Sequence, residues 1–268
     1  MKGSRVGGIS LEWQEVGINK EKIKKIVEYA IEVKKLTKKF GAFTAVDAIS
    51  FEVKPGEIFG FLGANGAGKT TAMRMLSGLS MPTSGEASVA GFDVYLEQEK
   101  IKKNIGYMSQ KFSLYEDLTI NENIRFFGGI YGLPLREIKA KTKVLLQELQ
   151  LEGSARKLTG SLPLGWKQKL AFSVALFHNP KIVFLDEPTG GVDPITRRQF
   201  WEMIYAASEK GVTVFVTTHY MDEAEYCDRV SIMVDGVIAA MDTPSKLKEN
   251  FKAASMDEVF LKLARGAS

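Results

Sequence analysis

The fold of this 268-residue chain is decided by residues 58–70, which read IFGFLGANGAGKT. The apolar run over 58–62 is typical of a strand buried on both faces of a parallel sheet. The eight residues after it match the pattern G-x-x-x-x-G-K-[ST], and a helix is predicted to begin directly behind them. A buried strand, a glycine-rich turn and a helix in this order predict a phosphate-binding loop.

Each residue type in this loop suits the phosphates of a nucleoside triphosphate. Glycines let successive backbone N–H groups point into one concavity, and the start of the helix adds partial positive charge. The Lys69 ammonium can reach the β- and γ-phosphates, and the Thr70 hydroxyl is a natural ligand for Mg²⁺. The alternative is a glycine-rich turn that matches by chance, which the flanking strand and helix disfavour.

A second apolar run, residues 182–185, is followed by two acids, Asp186 and Glu187. In phosphate-loop proteins an Asp in this place holds Mg²⁺, usually through water. Neighbouring side chains of a strand point to opposite faces, so we expect the two carboxylates to have different roles. One acid would bind the metal, and the other would act as a base on water. Two solvated acids at a strand end are the alternative, which the phosphate loop disfavours.

The patterning of the remaining sequence predicts an α/β sheet protein with a helical insertion. Apolar residues recur at helical spacing over 113–160, where Thr119 and Glu122 form a predicted capping box. A further helix is predicted from about Trp166 to Asn179, and another is expected to begin at Pro194. The predicted strands are one from about residue 29, then 48–53, 58–62, 182–185 and 212–218, and a hairpin of 230–234 with 237–240.

Composition excludes several classes of protein. With 45% hydrophobic and 25% charged residues, the chain can build a core, so disordered and fibrous classes are excluded. The single cysteine, Cys227, rules out an internal disulfide and suits a reducing compartment. No apolar run approaches the roughly 18 residues that cross a bilayer, and no signal peptide fits the start. These features predict a cytosolic protein.

The net charge of +4 is concentrated at the start of the chain. Residues 1–39 contain ten Lys/Arg and five Asp/Glu, a balance of +5, and the remaining residues contain 26 and 27, a balance of −1. We therefore predict a basic leader over 1–28, where the apolar spacing of 19–31 allows a helix. The nearly neutral body lacks the basic stripe of a nucleic-acid binder, so no nucleic-acid partner is expected.

The chain resembles the ATP-binding cassette (ABC) ATPases from about residue 33 to residue 263. Landmarks of that family occur here in the family's order and at familiar spacing. Each is a weak signal alone, whereas the ordered set is specific. The landmarks are an adenine-stacking aromatic at Phe40, a Walker A loop of Gly63, Ala64, Asn65, Gly66, Ala67, Gly68, Lys69, Thr70 and Thr71, a Q-loop glutamine at Gln110, a Walker B pair at Asp186 and Glu187, a D-loop over 190–193 and a switch histidine at His219.

The resemblance implies a fold and a mechanism. The fold is that of a P-loop NTPase, with a RecA-like core sheet, an N-terminal antiparallel β region and a helical subdomain. The cofactors are ATP and Mg²⁺. Glu187 would polarise the attacking water as general base, and His219 would orient that water. The implied metal ligands are Thr70, Gln110 and Asp186, and the implied catalytic residues are Lys69, Gln110, Glu187 and His219.

One landmark departs from the family pattern. The family's signature usually reads Leu-Ser-Gly-Gly-Gln, and residues 162–166 here read LPLGW. Pro163 has neither the hydroxyl with which the family's serine contacts the ATP of the opposite subunit nor a backbone N–H. Gly165 and the helix start behind it can still offer N–H groups, so Gly165 is assigned to ATP binding in trans. Similar signatures in some drug-export ATPases favour a working variant over a degenerate site.

The resemblance also implies the domain organisation. A nucleotide-binding domain would span 29–265, with its catalytic core over 29–111 and 166–243. The helical subdomain would span 112–165, and C-terminal helices would follow over 244–265. The helical subdomain would dock on a membrane subunit, with Tyr115, Phe126 and Tyr131 as candidate exposed aromatics.

These expectations predict the ATP-hydrolysing subunit of a membrane ABC exporter, peripheral on the cytoplasmic face of the cell membrane. Its partners would be a second ABC ATPase subunit, identical or different and paired head to tail, and separate transmembrane permease subunits. The alternatives are a soluble ABC ATPase that acts on nucleic acid or the ribosome, a P-loop kinase, and a nucleotide sensor with a degenerate signature. The short insertion disfavours a DNA-repair protein, and the presence of Glu187 and His219 disfavours a sensor.

Overall fold

The computed structural model of this chain describes residues 29–110 and 114–266, so the predicted basic leader over 1–28 lies outside the described residues. Most of the helix that the spacing of 19–31 allows also lies outside the described residues. Its last position, Ile31, is the first residue of a strand. The strands are β1 Ile31–Phe40, β2 Phe43–Val53, β3 Ile58–Gly63, β4 Ser84–Val89, β5 Phe92–Asp93, β6 Ile105–Met108, β7 Ile182–Asp186, β8 Thr213–Thr218, β9 Arg229–Val234 and β10 Val237–Asp242.

The strands form two sheets that differ in their pairing. The first has the order β2-β1-β4-β5 and is antiparallel, which confirms the predicted N-terminal antiparallel region. The second has the order β10-β9-β3-β8-β7-β6, in which β10 is antiparallel to β9 and the other neighbours are parallel. Every residue of β3, β7 and β8 is buried. Their carboxyl ends meet at one edge of the sheet, where ligands bind in open α/β folds.

A layer of phenylalanines joins the two sheets. Phe51 of β2 stacks on Phe59 of β3, with ring centroids 5.4 Å apart. The Phe215 ring of β8 lies 5.3 Å from the rings of both Phe61 and Phe184. Rings at these separations bury large apolar areas, and the stacked and tilted arrangements seen here are favourable ones. The layer therefore fixes the antiparallel sheet over the strands that carry the phosphate loop.

Helices and short 3-10 turns surround the second sheet. The Thr119 hydroxyl accepts from the Glu122 N–H at 3.2 Å and the Glu122 carboxylate accepts from the Thr119 N–H at 2.8 Å, so the predicted capping box is confirmed. Pro194 begins its helix as predicted, behind an Asp193 cap. The helices are α1 Lys69–Leu76, α2 Gln98–Asn104, α3 Ile120–Ile130, α4 Leu135–Glu148, α5 Leu164–Ala175, α6 Pro194–Glu209, α7 Pro244–Asn250 and α8 Met256–Gly266.

Two predicted elements have different bounds. The strand predicted over 48–53 begins at Phe43, because its pairing with β1 continues to the turn after Phe40. The helix predicted from Trp166 to Asn179 is α5, Leu164–Ala175. It begins earlier because Pro163, with extended ψ, serves as its N-cap, and it ends earlier because the chain behind it closes in a three-residue turn. Among the described residues, no helix is long and apolar enough to cross a membrane.

Candidate nucleotide-binding and catalytic site

The phosphate loop connects Gly63, the last residue of β3, to Lys69, the first residue of α1. Gly68 has a φ of +102°, and a Cβ on it would lie 2.4 Å from the carbonyl oxygen of Ala45. A Cβ on Gly63 would lie 2.5 Å from the carbonyl oxygen of Met233. Backbone oxygens cannot yield to such contacts, so both positions require glycine. The loop is thereby fixed against β2 and β9.

Lys69 is buried inside this loop. Its Nζ donates hydrogen bonds to the carbonyl oxygens of Gly63 at 2.8 Å and of Ala64 at 3.1 Å. The nearest carboxylate oxygen is Oε1 of Glu187, 3.5 Å away. Burial lowers the pKa of the Lys69 ammonium, and the Glu187 carboxylate opposes that shift. The loop therefore holds a desolvated ammonium that an anionic ligand would stabilise.

Asp186, at the end of β7, receives hydrogen bonds from two hydroxyls. Thr217 Oγ1 donates to its Oδ1 at 2.6 Å, and Thr70 Oγ1 donates to the same oxygen at 3.2 Å. Burial raises the pKa of the Asp186 carboxyl, and these hydrogen bonds oppose the shift. A cation beside the carboxylate would favour its charged form. The structure thus brings together two of the three predicted metal ligands.

The chemistry of these donors fits Mg²⁺. This ion prefers oxygen ligands and keeps several waters while it binds substrate phosphates. The Thr70 hydroxyl, the Asp186 carboxylate and the amide oxygen of Gln110 are ligands of this kind. Within the described residues, no group of three or more His, Cys, Asp and Glu side chains could hold a metal by itself. Nucleotide phosphates and water would therefore complete the coordination.

Glu187 follows Asp186 directly but contacts a different set of side chains. Its Oε2 accepts a hydrogen bond from Gln110 Nε2 at 2.8 Å and lies 3.0 Å from His219 Nδ1. Its backbone has a φ of +49°, in the left-handed region that costs a non-glycine residue energy and often marks a functional site. An amide, an imidazole and the ammonium of Lys69 therefore converge on one carboxylate. The two acids have separate partners, as the strand alternation predicts.

Thr217 belongs to this site although the sequence analysis gave it no role. Besides its bond to Asp186, its Oγ1 accepts from the backbone N–H of Glu187 at 3.1 Å. The same N–H also lies 3.1 Å from the Thr217 carbonyl oxygen. One threonine therefore orients the Asp186 carboxylate and holds the strained backbone of Glu187. The available signal was a threonine near the carboxyl end of a predicted strand, two residues before His219.

The signature segment, residues 162–166, packs against the start of α6, and the helix that it opens contacts the D-loop. A Cβ on Gly165 would lie 2.4 Å from Cγ2 of Thr196, in the first turn of α6. The Gln168 side chain donates to the Gly190 carbonyl oxygen at 3.2 Å. Ser161, the serine just before the signature, donates its hydroxyl to the Leu158 carbonyl oxygen at 2.7 Å.

The remaining predicted residues lie outside the hydrogen-bond network of the described site residues. Phe40 ends β1 with more than half of its side chain exposed, and Lys38 Nζ lies 5.0 Å from its ring centroid. Tyr115 and Phe126 are exposed and meet edge to face at 5.1 Å. Tyr131 is only partly exposed, because its ring stacks on the ring of His178 with the centroids 3.6 Å apart. Its assignment to an exposed docking surface is therefore wrong.

Comparison with known proteins identifies the family of this chain. A family model described as ABC transporter matches residues 46–190, just over half of the chain. The probable multidrug ABC transporter ATP-binding protein YbhF of Escherichia coli (strain K12) is 50% identical over 241 residues, which are 88% of this chain and 42% of that protein. The chain therefore spans less than half the length of this relative.

Two further matches cover most of their own chains. The linearmycin resistance ATP-binding protein LnrL of Bacillus subtilis (strain 168) is 38% identical over 218 residues, which are 81% of this chain and 70% of that protein. The solved dimeric structure of MJ0796, a bacterial ABC transporter cassette, aligns with a TM-score of 0.72 at 26% identity. That alignment covers 80% of this chain and 98% of the solved chain.

Proposed function

The chain belongs to the ABC transporter family, and from this premise we propose that it is the ATP-hydrolysing subunit of a membrane exporter. The observation that carries the proposal is the convergence of Gln110, His219 and Lys69 on the Glu187 carboxylate, beside the Thr70–Asp186 pair. The names of YbhF, a probable multidrug transporter protein, and LnrL, a linearmycin resistance protein, support export.

Hydrolysis of the γ-phosphate needs positioning and charge stabilisation more than covalent chemistry. Lys69 and the loop N–H groups stabilise the charge that develops on the phosphates. Thr70, Asp186 and Gln110 would hold Mg²⁺, which would supply further positive charge to the phosphate oxygens. The contacts of Lys69, Thr70, Asp186 and Gln110 described above support these roles.

The attacking water is activated at Glu187. Its carboxylate accepts the proton as the oxygen of water bonds to phosphorus, and the bond to the leaving ADP oxygen breaks. His219, whose Nδ1 lies 3.0 Å from Glu187, orients the carboxylate and the water. Because Glu187 is buried, bulk solvent does not compete with the attacking water for its carboxylate. Phe40 contributes a partly exposed aromatic face on which adenine stacks.

The active unit is a head-to-tail dimer of cassettes. In it, the N–H groups at Gly165 and the start of α5 contact the ATP of the other subunit, and the helix dipole favours this contact. The dimeric structure of the MJ0796 cassette supports this arrangement. Each cassette spans 29–265, with its catalytic core over 29–111 and 166–243, its helical subdomain over 112–165 and its C-terminal helices over 244–265.

The dimer works with separate transmembrane permease subunits and is peripheral on the cytoplasmic face of the membrane. Tyr115 and Phe126 form an exposed aromatic pair on the helical insertion. Exposed apolar patches of this kind mark surfaces for protein partners. The pair supports docking of a membrane subunit on this side of the cassette.

A Glu187→Gln variant tests the chemistry. We expect it to bind ATP, to lose turnover by at least about 100-fold, and to accumulate an ATP-bound dimer visible by light scattering. The exposed Glu99 supplies the control, because a Glu99→Gln variant should hydrolyse ATP like the unchanged protein. Normal turnover in Glu187→Gln would remove Glu187 from its role.

A purification from detergent-solubilised membranes tests the exporter assignment. We expect a stoichiometric partner with several transmembrane segments, whose binding weakens when Tyr115 and Phe126 are both changed to Ser. A chain that hydrolyses ATP but purifies only with ribosomal, nucleic-acid-bound or soluble partners would overturn the exporter assignment and leave the ATPase chemistry intact.

A further inference from the structure

A buried carboxylate with no part in the proposed mechanism lies behind the catalytic residues. Glu223, in the 3-10 turn Met221–Tyr226, is fully buried. Its Oε1 accepts a hydrogen bond from the hydroxyl of Thr189 and lies 3.6 Å from Nε of Arg197. A buried carboxylate is costly unless it is paired and hydrogen-bonded, so these two partners hold it in its place.

The residues that meet at this carboxylate come from three segments of the site. Thr189 follows Glu187 by two residues, in the loop after β7. Arg197 lies in the first turn of α6, the helix that follows the D-loop. Glu223 itself follows His219 by four residues. One side chain therefore connects the loop of the general base, the D-loop helix and the segment of the switch histidine.

A second set of contacts leads from Arg197 back to Glu187. The guanidinium carbon of Arg197 lies 4.3 Å from the ring centroid of Tyr220, a cation–π distance. The Tyr220 ring lies 4.2 Å from the ring of His219, whose Nδ1 is 3.0 Å from Glu187 Oε2. Together with the short stretch of chain from Glu187 to Thr189, these contacts close a ring. It is here called the Glu223 ring, and its members are Glu187, Thr189, Glu223, Arg197, Tyr220 and His219.

The hydrogen bonding of the buried Glu223 carboxylate is incomplete. Its Oε2 is buried and has no hydrogen-bond donor in the part of the chain that the structure describes. A buried polar atom without a hydrogen-bond partner destabilises the folded chain, and more so when it is charged. Within the described residues, the carboxylate accepts its hydrogen bond only from Thr189.

The chain contains a second buried Glu–Arg pair, Glu57 and Arg229, in which both carboxylate oxygens accept hydrogen bonds. Glu57 is buried, its Oε2 accepts from the backbone N–H of Lys54 at 2.7 Å, and its Oε1 accepts from Arg229 at 3.1 Å. Arg229 in turn lies 5.5 Å over the ring of Phe59. A glutamate, an arginine and an aromatic ring thus form a cluster with complete hydrogen bonding of the carboxylate. It lies at the amino-terminal end of β3, opposite the phosphate loop, where it only joins strands.

We propose that Glu223 is a positioning residue for ATP hydrolysis, which holds Glu187 and His219 in register through Thr189 and Arg197. The inference rests on the proposed ATPase function. Glu223 itself contacts neither the general base nor the switch histidine. Because the ring is closed, His219 and the loop after Glu187 can shift relative to one another only if the Glu223 contacts change. Small displacements of reacting groups lower the rate steeply, whereas ATP binding at the Walker A loop is unaffected.

A Glu223→Gln variant keeps the shape of the side chain and removes its charge. We expect kcat to fall at least about tenfold while the KM for MgATP stays within about twofold. Thr189→Val, which removes the hydroxyl, should give the same split, and Thr189→Ser, which restores it, should recover the rate. Glu57→Gln is the matched control, with a lower melting temperature and a kcat within about twofold of the unchanged chain.

A double-mutant cycle with His219→Ala separates positioning from a general loss of stability. If Glu223 acts through the ring, Glu223→Gln lowers kcat by less than about twofold in the His219→Ala background. Full additivity in that background would overturn the proposal, as would normal kcat in Glu223→Gln or Thr189→Val. If instead the unchanged chain hydrolyses no ATP, the proposed function itself fails, and the two failures are thereby distinguished.

Discussion

Two regions of the chain differ in how far their groups find partners within the chain itself. The first consists of the Walker A and Walker B residues, and the second is the signature segment. At the first region, the side chains of Lys69, Asp186 and Glu187 are buried and each has partners inside the chain. At the second, LPLGW contributes few side-chain polar atoms, and Leu164 has 45% of its surface exposed. Its contacts are mainly steric, through Gly165 against Thr196.

In the proposed dimer, this difference predicts different effects for changes in the two regions. A region whose polar groups are already paired is pre-organised, so a ligand finds its binding groups in place. A region that exposes a leucine and a helix start gains partners only when another molecule covers it. Changes to the phosphate-loop residues of the first region should therefore alter ATP binding by the single chain, and changes in the second should alter only turnover by the dimer.

The largest expected effect is that of Lys69→Ala. The variant removes the buried ammonium from the phosphate loop, so ATP affinity of the single chain should fall about 100-fold or more. Equilibrium titration with ATP measures the loss. Lys100→Ala is the control, since Lys100 is paired with Glu97 at 2.8 Å in an exposed ion pair away from the phosphate loop and should leave the affinity unchanged. Unchanged affinity in Lys69→Ala would refute the phosphate-loop assignment.

Gly165→Ala should separate turnover from binding. The new Cβ would lie 2.4 Å from Cγ2 of Thr196, and overpacking of this kind costs about 1–3 kcal/mol. We expect kcat to fall about tenfold while the single chain keeps its ATP affinity. Adding Thr196→Ser removes Cγ2, keeps the hydroxyl bond to Asp193, and should restore most of the rate.

Gly153→Ala is the control for that experiment, because a Cβ there meets no atom within 4 Å. If Gly165→Ala weakened ATP binding by the isolated chain, the division between the two regions would be wrong. Failure of Thr196→Ser to restore the rate would show that the steric contact is not the cause of the loss.

His178 links the helical insertion to the sheet, and its effect should depend on pH. Its ring stacks on Tyr131 at 3.6 Å, and its Nε2 lies 3.1 Å from the Ile105 carbonyl oxygen. Burial lowers the pKa of His178 to about 4, whereas the unfolded chain keeps the ordinary value. The unfolded state therefore binds more protons between about pH 6.5 and 4, and stability falls as the pH falls through that window.

A His178→Phe variant removes this titration and keeps the stacking. It should be about 1 kcal/mol less stable than the unchanged chain at pH 7.5, because the bond to Ile105 is lost. The difference in unfolding free energy, measured with urea, should shrink or reverse as the pH approaches 4.5. A difference that stays constant over this range would contradict the assignment.

The smallest effect is expected for Pro163→Ser. Pro163 occupies the N-cap of α5 without a side-chain cap, and serine is compatible with its backbone angles. The new hydroxyl can cap the helix, which is worth about 0.5–2 kcal/mol, so turnover should be preserved or rise by about threefold at most. Steady-state ATPase rates measure this. A severe loss would show that Pro163 has a structural function of its own.

Local features of the fold were predictable because neighbouring residues determine them. The phosphate loop depends on a strand, a turn and glycines that are contiguous in the sequence. The capping box at Thr119 and the proline at the start of α6 are equally local. Even the separate partners of Asp186 and Glu187 follow from the alternation of a strand. The sequence by itself therefore determined the chemistry of the site and the elements that carry it.

The tertiary structure decided which distant groups meet. Gln110 and His219 lie 77 and 32 residues from Glu187, and only the order β3-β8-β7-β6 brings their side chains to one carboxylate. The same packing places Thr217 on Asp186 and buries Glu223 behind the site. Burial and long-range contacts depend on which faces of the elements meet. The free energy of that packing comes from many distant residues together, so no single position of the sequence determines it.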